Sequence, residues 1–320
     1  MVTLYNPAWL FPVHLTVFIL SGVMVAVTGV LLTRYTARIA RRTGLGQALT
    51  GALFLGASTS LSGIITSVTA AANLEHAAAS DENMFQGALL IALLSGTLLA
   101  AFSPEFTVFG VHPVTPGLIL TYIFGLRMVH TAKGQDMWQP RVTEHTYLEA
   151  ESENPAGKSG STESMAGLWA KFATVALVIG LLGYALANSG VRIGELTGMS
   201  ETTLGGLFTA VVTSFPELIT TIAAVKIGAL TLAVSGIMGG NAFDVLFLGV
   251  SDIAYRDGSV YHAMGDRPAF LIMLTILLTS TLLLGLIRRK KHGIGNIGFE
   301  SFLLFLVYIG GFLIIVTTMS

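Results

Sequence analysis

TGLGQALTGALFLGASTSLSGIITSVTAA (residues 43–71) and TGMSETTLGGLFTAVVTSFPELITTIAAV (residues 197–225) align without a gap at an offset of 154 positions. Thr43, Gly44, Gly51, Leu53, Phe54, Thr59, Ser60, Ile65, Thr66 and Ala70 all meet identical residues, and upstream Arg38 and Ile39 meet Arg192 and Ile193. Self-similarity at a fixed offset is the signature of an internal repeat. Farther on the register changes. NLEHAAASDENMFQGALLIALLSGTLLA (73–100) matches SVYHAMGDRPAFLIMLTILLTSTLLLGL (259–286) at an offset of 186, with His76 on His262 and Ala77 on Ala263. The increase from 154 to 186 means that the first half lacks 32 residues, a counterpart to 227–258.

The repeated segments are apolar, and so is the chain around them. Of 320 residues 53% are hydrophobic and 11% charged, with a mean hydropathy of +0.75. Soluble domains carry about 25% charged residues, so this composition predicts a multi-pass membrane protein whose first partner is the lipid bilayer. The net charge of −1 comes with no long basic tract, which argues against a nucleic-acid partner. Zero cysteines exclude disulfides, thiol catalysis and Cys-ligated metal. Residues 1–9 contain no Lys or Arg, and the run from Leu10 to Leu32 is longer than the roughly 7–15 residues of a signal peptide core. No cleaved signal is expected.

Nine runs are long enough to cross about 30 Å of hydrocarbon: 10–32, 46–72, 84–102, 107–130, 166–188, 201–226, 229–251, 269–287 and 297–318. The fold class expected is an all-α polytopic membrane protein, because barrels show alternating segments of about ten residues. The run at 107–130 is broken by Gly110, His112, Pro113, Pro116 and Gly117, leaving 117–130 continuous. Residues 132–165 are polar, with an acidic patch from Glu149 to Glu153, and read as a flexible linker. This divides the chain into a first half, 1–131, with about four spans and a second half, 166–320, with five. Arg34, Arg38, Arg41 and Arg42 follow the first span, and Arg288, Arg289, Lys290 and Lys291 follow 269–287. With ten spans the positive-inside bias puts both clusters on the cytoplasmic side, whereas nine spans put them on opposite sides unless 107–130 dips in and returns. The charges therefore favour an ancestral ten-span layout with one span deleted. Two such halves of five spans would be inverted repeats, a common transporter plan.

Within the second half, two motifs carry chemistry. Thr213-Ser214-Phe215-Pro216-Glu217-Leu218 places an acid after a proline in one span, and Gly239-Gly240-Asn241-Ala242-Phe243-Asp244 places a second acid in the next. An ionisable group in a span is costly and marks ion pathways. Pro216 frees backbone carbonyls, tolerated where they line a cavity. Glu217, Asp244, the Asn241 amide and the Thr213 and Ser214 hydroxyls form an all-oxygen set, which suits hard cations such as Na⁺, Ca²⁺ and Mg²⁺. The same carboxylates are able to hold protons, since low dielectric raises their affinity for them. Glu217 also has a purely structural reading, paired with Lys226 or a backbone donor. Gly239 and Gly240 serve close helix packing on either reading. Asp252, Arg256, His76, His262 and Glu300 read as interfacial groups near span ends, while Glu105 and His112 flank the broken run without an assigned role.

TSFPEL followed by GGNAFD resembles the alpha-repeat signature of the sodium/calcium exchanger (cation/Ca²⁺ antiporter) family, whose members carry such motifs in each of two inverted repeats over ten helices. The resemblance covers the spans of both halves and leaves out the linker. It implies secondary exchange of Na⁺ or H⁺ against Ca²⁺ by alternating access, in the cytoplasmic (inner) membrane. It implies no cofactor beyond the transported ions, and no enzyme activity. On it, Glu217 and Asp244 are cation ligands (Ca²⁺ or Na⁺). Thr213, Ser214, Asn241, Thr59 and Ser60 supply oxygens, and Pro216, Gly239 and Gly240 shape the backbone. The first half departs from the pattern: Ser62 and Gly63 stand where Pro-Glu falls in the family, and its second motif lies in the 32-residue gap. Ca²⁺ takes about six to eight oxygens, and this chain offers acids from one half only. The rival reading is therefore a non-transporting subunit or scaffold that keeps the exchanger fold. An intramembrane enzyme ranks below both, because a metalloprotease motif such as H-E-x-x-H is missing.

Overall fold

The computed structural model describes residues 7–56, 81–132, 164–198, 212, 214–255, 258–288 and 299–318. The acidic linker lies outside them except for its two ends. The described elements are helices: α1 Pro7–Thr43, α2 Gln47–Thr50 continuing as a π-helical turn Gly51–Gly56, α3 Asp81–Phe102, α4 Val114–Ala132, α5 Met165–Thr197, α6 Phe215–Lys226, α7 Leu230–Ala254, α8 Asp266–Arg288 and α9 Phe299–Thr318. Helix is the form that satisfies every backbone N–H and C=O inside its own segment, as a bilayer requires. Five of these helices are long and apolar enough to cross a membrane: Leu10–Thr43, Asn83–Phe102, Met165–Thr197, Leu230–Ala254 and Asp266–Ile287. The protein is an integral membrane protein of all-α class.

The helix ends follow the two sequence offsets. α1 stops at Thr43 and α5 at Thr197, 154 positions apart. Both terminal threonines turn back on the helix: Thr43 Oγ1 donates to the Ile39 carbonyl at 2.7 Å and Thr197 Oγ1 to the Ile193 carbonyl at 2.9 Å. Both are followed by a left-handed glycine, Gly44 at φ 68° and Gly198 at φ 71°, the residue that ends a helix at no steric cost. At the offset of 186, α3 maps onto α8 and α4 onto α9 to within one residue at every end. α7 has no counterpart among the described residues. Chain length alone explains why: the eight residues 73–80 would make about 12 Å of helix, against about 30 Å of hydrocarbon.

α7 is also the central element. Of its most apolar window 61% is buried, against 17–44% for the other four span-length helices. The π-helical turn crosses it through glycines. A Cβ on Gly56 would lie 2.6 Å from Gly240 N, and one on Gly239 would overlap Ala52. α1 and α5 run along each other, burying Val25, Leu32, Ile179 and Leu186 in one cluster. Each also packs on the short helix of the other half. Phe54 meets Trp169 and Phe172 of α5 edge-on, at centroid distances of 5.0 and 5.8 Å. Gly29 of α1 faces Ile219, and Thr33 Oγ1 donates to the Thr220 carbonyl at 3.2 Å.

α4 begins earlier than the sequence suggested, at Val114, and so gains a length of 19 residues. Pro116 falls in its first turn, where the N–H has no intrahelical partner to lose. Before it, the chain reverses through a turn at Phe109 (φ 55°) and Gly110 (φ 78°), closed by mutual backbone bonds between Val108 and Val111.

Candidate functional site

Ser214-Phe215-Pro216-Glu217 builds the start of α6. Pro216 lies in the first turn, and Glu217 follows it there. A carboxylate in the first turn faces the helix's positive end. The Leu218 N–H bonds to the Ser214 carbonyl at 3.0 Å and closes the turn. Glu217 is 6% exposed and Ser214 3%, so both are inside the bundle. Thr220 Oγ1 donates to the Glu217 carbonyl at 3.0 Å. Lys226 stands at the opposite end of α6 and is exposed. Nine residues of helix separate it from Glu217, about 13 Å, so the ion pair weighed from the sequence does not form.

α6 packs against α7. Asn241 and Asp244 lie in the interior of α7, one turn apart and half-buried, remote from both ends of the helix. Spacing of i, i+3 puts them on one side of it. Gly239 and Gly240, two and one residues before Asn241, are buried in the crossing with the π-helical turn. That crossing brings the first half to α7 at this level. Ser235 Oγ donates to the Gln47 carbonyl at 3.2 Å, and Gln86 Nε2 donates to the Ala48 carbonyl at 2.8 Å. Gln47, Asn83 and Gln86 are all buried. These amides belong to no sequence motif. Buried amides on a chain this apolar were the available signal. Thr59, Ser60, Ser62, Gly63 and Thr213 lie outside the described residues.

A second polar cluster closes one end of the bundle. Asp252, near the end of α7, is 0% exposed. Its Oδ2 accepts from the His112 N–H at 2.8 Å and from Thr115 Oγ1 at 2.7 Å, and its Oδ1 from the Val260 N–H at 3.2 Å. Tyr261 Oη lies 2.8 Å from Thr115 Oγ1. The interfacial reading of Asp252 is thus corrected. The carboxylate is satisfied by donors that protein loops bring to it, which is how a buried charge is tolerated. Arg256 and His76 lie outside the described residues.

Comparison with known proteins gives a consistent picture. Residues 167–317 match the family model described as sodium/calcium exchanger protein. Over 139 residues the chain is 33% identical to CaxA of Alkalimonas amylolytica, which carries the name of an antiporter; this is 41% of the chain and 43% of that protein. It is 27% identical over 145 residues to sodium/potassium/calcium exchanger 1 of Bos taurus, 42% of the chain and 11% of that one. The chain therefore matches less than half the length of these curated relatives. Among solved structures, the sodium-calcium exchanger NCX_Mj superposes with a TM-score of 0.60 over 96% of this chain and 99% of its own, at 15% identity. A second structure of it gives a TM-score of 0.61 over 94% and 97% at 14% identity. At such identity the likeness is one of fold.

Proposed function

From the match of residues 167–317 to the sodium/calcium exchanger family model, we propose that the protein is a secondary cation antiporter of the cytoplasmic membrane. It exchanges Ca²⁺ against Na⁺ or H⁺ by alternating access. Glu217 and Asp244 are the charged ligands of the ion in transit. Two carboxylates come close to neutralising one Ca²⁺, and the same pair accepts two Na⁺ or two protons on the return. Asn241, Thr213 and Ser214 add oxygens from the second half, and Thr59 and Ser60 add hydroxyls from the first. With bidentate carboxylates that set reaches the about six to eight oxygens that Ca²⁺ takes. The two halves, 1–131 and 166–320, are joined by the linker 132–165 and form the two repeats between which the site lies.

The observation that carries this reading is the setting of Glu217. It is a 6% exposed carboxylate in the first turn of a helix that starts at Ser214-Phe215-Pro216, packed on the helix that bears Asp244. In proteoliposomes, an outward Na⁺ or proton gradient drives ⁴⁵Ca²⁺ uptake, and Glu217→Gln abolishes it. Uptake that survives the substitution overturns the assignment. The rival, a scaffold that has kept the fold without transport, is favoured by one specific observation: Gly63 at the position equivalent to Glu217. It requires a thermal stability indifferent to Na⁺, Ca²⁺ and pH in the purified protein. A Ca²⁺-dependent rise in that stability, lost in Asp244→Asn, rules it out.

A further inference from the structure

The cluster around Asp252 joins two turns far apart in sequence, residues 103–113 and 258–265. Two histidines sit in it, His112 and His262, with ring centroids 5.6 Å apart. Their hydrogen bonds fix their protonation. His262 Nε2 lies 2.7 Å from the Ser103 carbonyl, so it must carry a proton and donate. Its other nitrogen, Nδ1, is buried with no partner among the described residues. His112 Nδ1 accepts the Val114 N–H at 3.2 Å, so it carries no proton. Its Nε2 faces Ser103 Oγ at 3.2 Å, and that hydroxyl itself donates to the Ala100 carbonyl at 2.9 Å. The His112 ring is therefore neutral in this arrangement.

A further proton has no good place to go. On His112 Nδ1 it would oppose the Val114 N–H and break that bond. On His262 Nδ1 it would create a buried N–H without an acceptor, which is costly. Two imidazolium rings at this separation would also repel each other. The remaining groups facing the pair are Asp252 from α7, with both oxygens already accepting, Thr115 from α4, Tyr261 from the adjoining turn, and Glu105, whose Oε1 lies over Gly258. Burial first, then His262, hold His112 below the ordinary histidine range, with Asp252 opposing. Among the described residues no three His, Asp or Glu side chains stand together as a metal site would need.

We infer that His112 and His262 form a proton-binding site, separate from Glu217 and Asp244, whose occupation releases the turn 103–113 from the turn 258–265. Histidine is the side chain suited to such a switch between about pH 5 and 8. The released parts are the α3–α4 and α7–α8 connections, so acid would uncouple the two halves of the chain at this end. This inference does not rest on the transport reading; its test needs no transport.

The chain has no cysteine, so labels can be placed without background. Nitroxides on Phe106→Cys and Ala263→Cys, both exposed positions on the two turns, report the gap between them in the full-length protein. The expected result is a narrow distance distribution at about pH 8 that broadens and lengthens at about pH 5, within the histidine range. Adding His112→Gln and His262→Gln should leave the distribution narrow at both. His262→Gln alone, the milder change, should reduce the acid response if the double variant does not fold. A distribution that does not change with pH, or an acid response that persists without the two histidines, overturns the inference.

Discussion

Replacing Gly56 by alanine tests the crossing on which the proposed site depends. A Cβ there would stand 2.6 Å from Gly240 N, 2.8 Å from Gly240 Cα and 2.9 Å from the Gly236 carbonyl oxygen. All three are backbone atoms, so no side chain can rotate away. Ordinary carbon contacts lie at about 3.5–4.0 Å, and α7 must therefore withdraw from the π-helical turn by about 1 Å. Overpacking of that size costs about 1–3 kcal/mol. Alanine gives back about 0.5–1 kcal/mol relative to glycine within a helix, which leaves a net loss of about 0–2.5 kcal/mol by difference, nearer the upper end because every contact is to backbone. At about 2–4 °C per kcal/mol, the thermal midpoint of the purified protein should drop by several degrees. Trp169 packs on Phe54, two residues before Gly56, so tryptophan fluorescence follows the same region as it loosens. Gly180→Ala on α5 is the matched control, since a Cβ there meets nothing within 4 Å, and it should leave the midpoint level or raise it. A Gly56→Ala protein as stable as its parent would show that the crossing is looser than described, and the reasoning would fail.

Other outcomes follow from single contacts. Thr115→Val removes one of the two donors to Asp252 Oδ2, and the lost bond to a buried carboxylate should cost about 1.5–3 kcal/mol, read as a lower thermal midpoint. His112 has a depressed affinity for protons in the folded state, so the unfolded chain binds more protons than the native one below about pH 6.5. Its contribution to stability is complete above that pH and is lost as pH falls below it; a midpoint measured against pH should show this decline, and His112→Gln should flatten it. Thr33→Val deletes the bond from α1 to the Thr220 carbonyl and should cost about 0.6–1.7 kcal/mol, as interhelical bonds in membranes do.

Much of the scaffold could be read from the chain itself. The Thr-Gly pairs at 43–44 and 197–198 stop their helices in the same way because both steps are local: a threonine back-bond and a left-handed glycine. The paired ends of α3 and α8, and of α4 and α9, follow from one offset for a like reason. Gly239 and Gly240 were legible as packing glycines because nothing larger fits a close crossing. α4 starts earlier than its prolines suggest, because a proline in a first turn costs no hydrogen bond. The Asp252 cluster was not legible at all. His112 and Thr115 reach Asp252 across 140 and 137 positions, and no periodicity encodes such a pairing. The alignment linked His262 to His76, its counterpart by offset, whereas its neighbour in space is His112. For the proposed cation site, residue types were readable from Glu217 and Asp244. Their mutual setting depends on how α6 lies on α7, which a linear pattern does not contain.

One consequence reaches beyond any single residue. In a transporter built from two matched halves, each half adopts in one state the shape that its twin adopts in the other, so the outward and inward forms are near mirror exchanges. α7 has no twin here among the described residues, and it is the helix that bears Asn241, Asp244, the glycine crossing and Asp252. On the proposed antiport function, the two end states of this molecule differ in packing around α7 and so in energy, and an empty carrier rests on one side of the membrane.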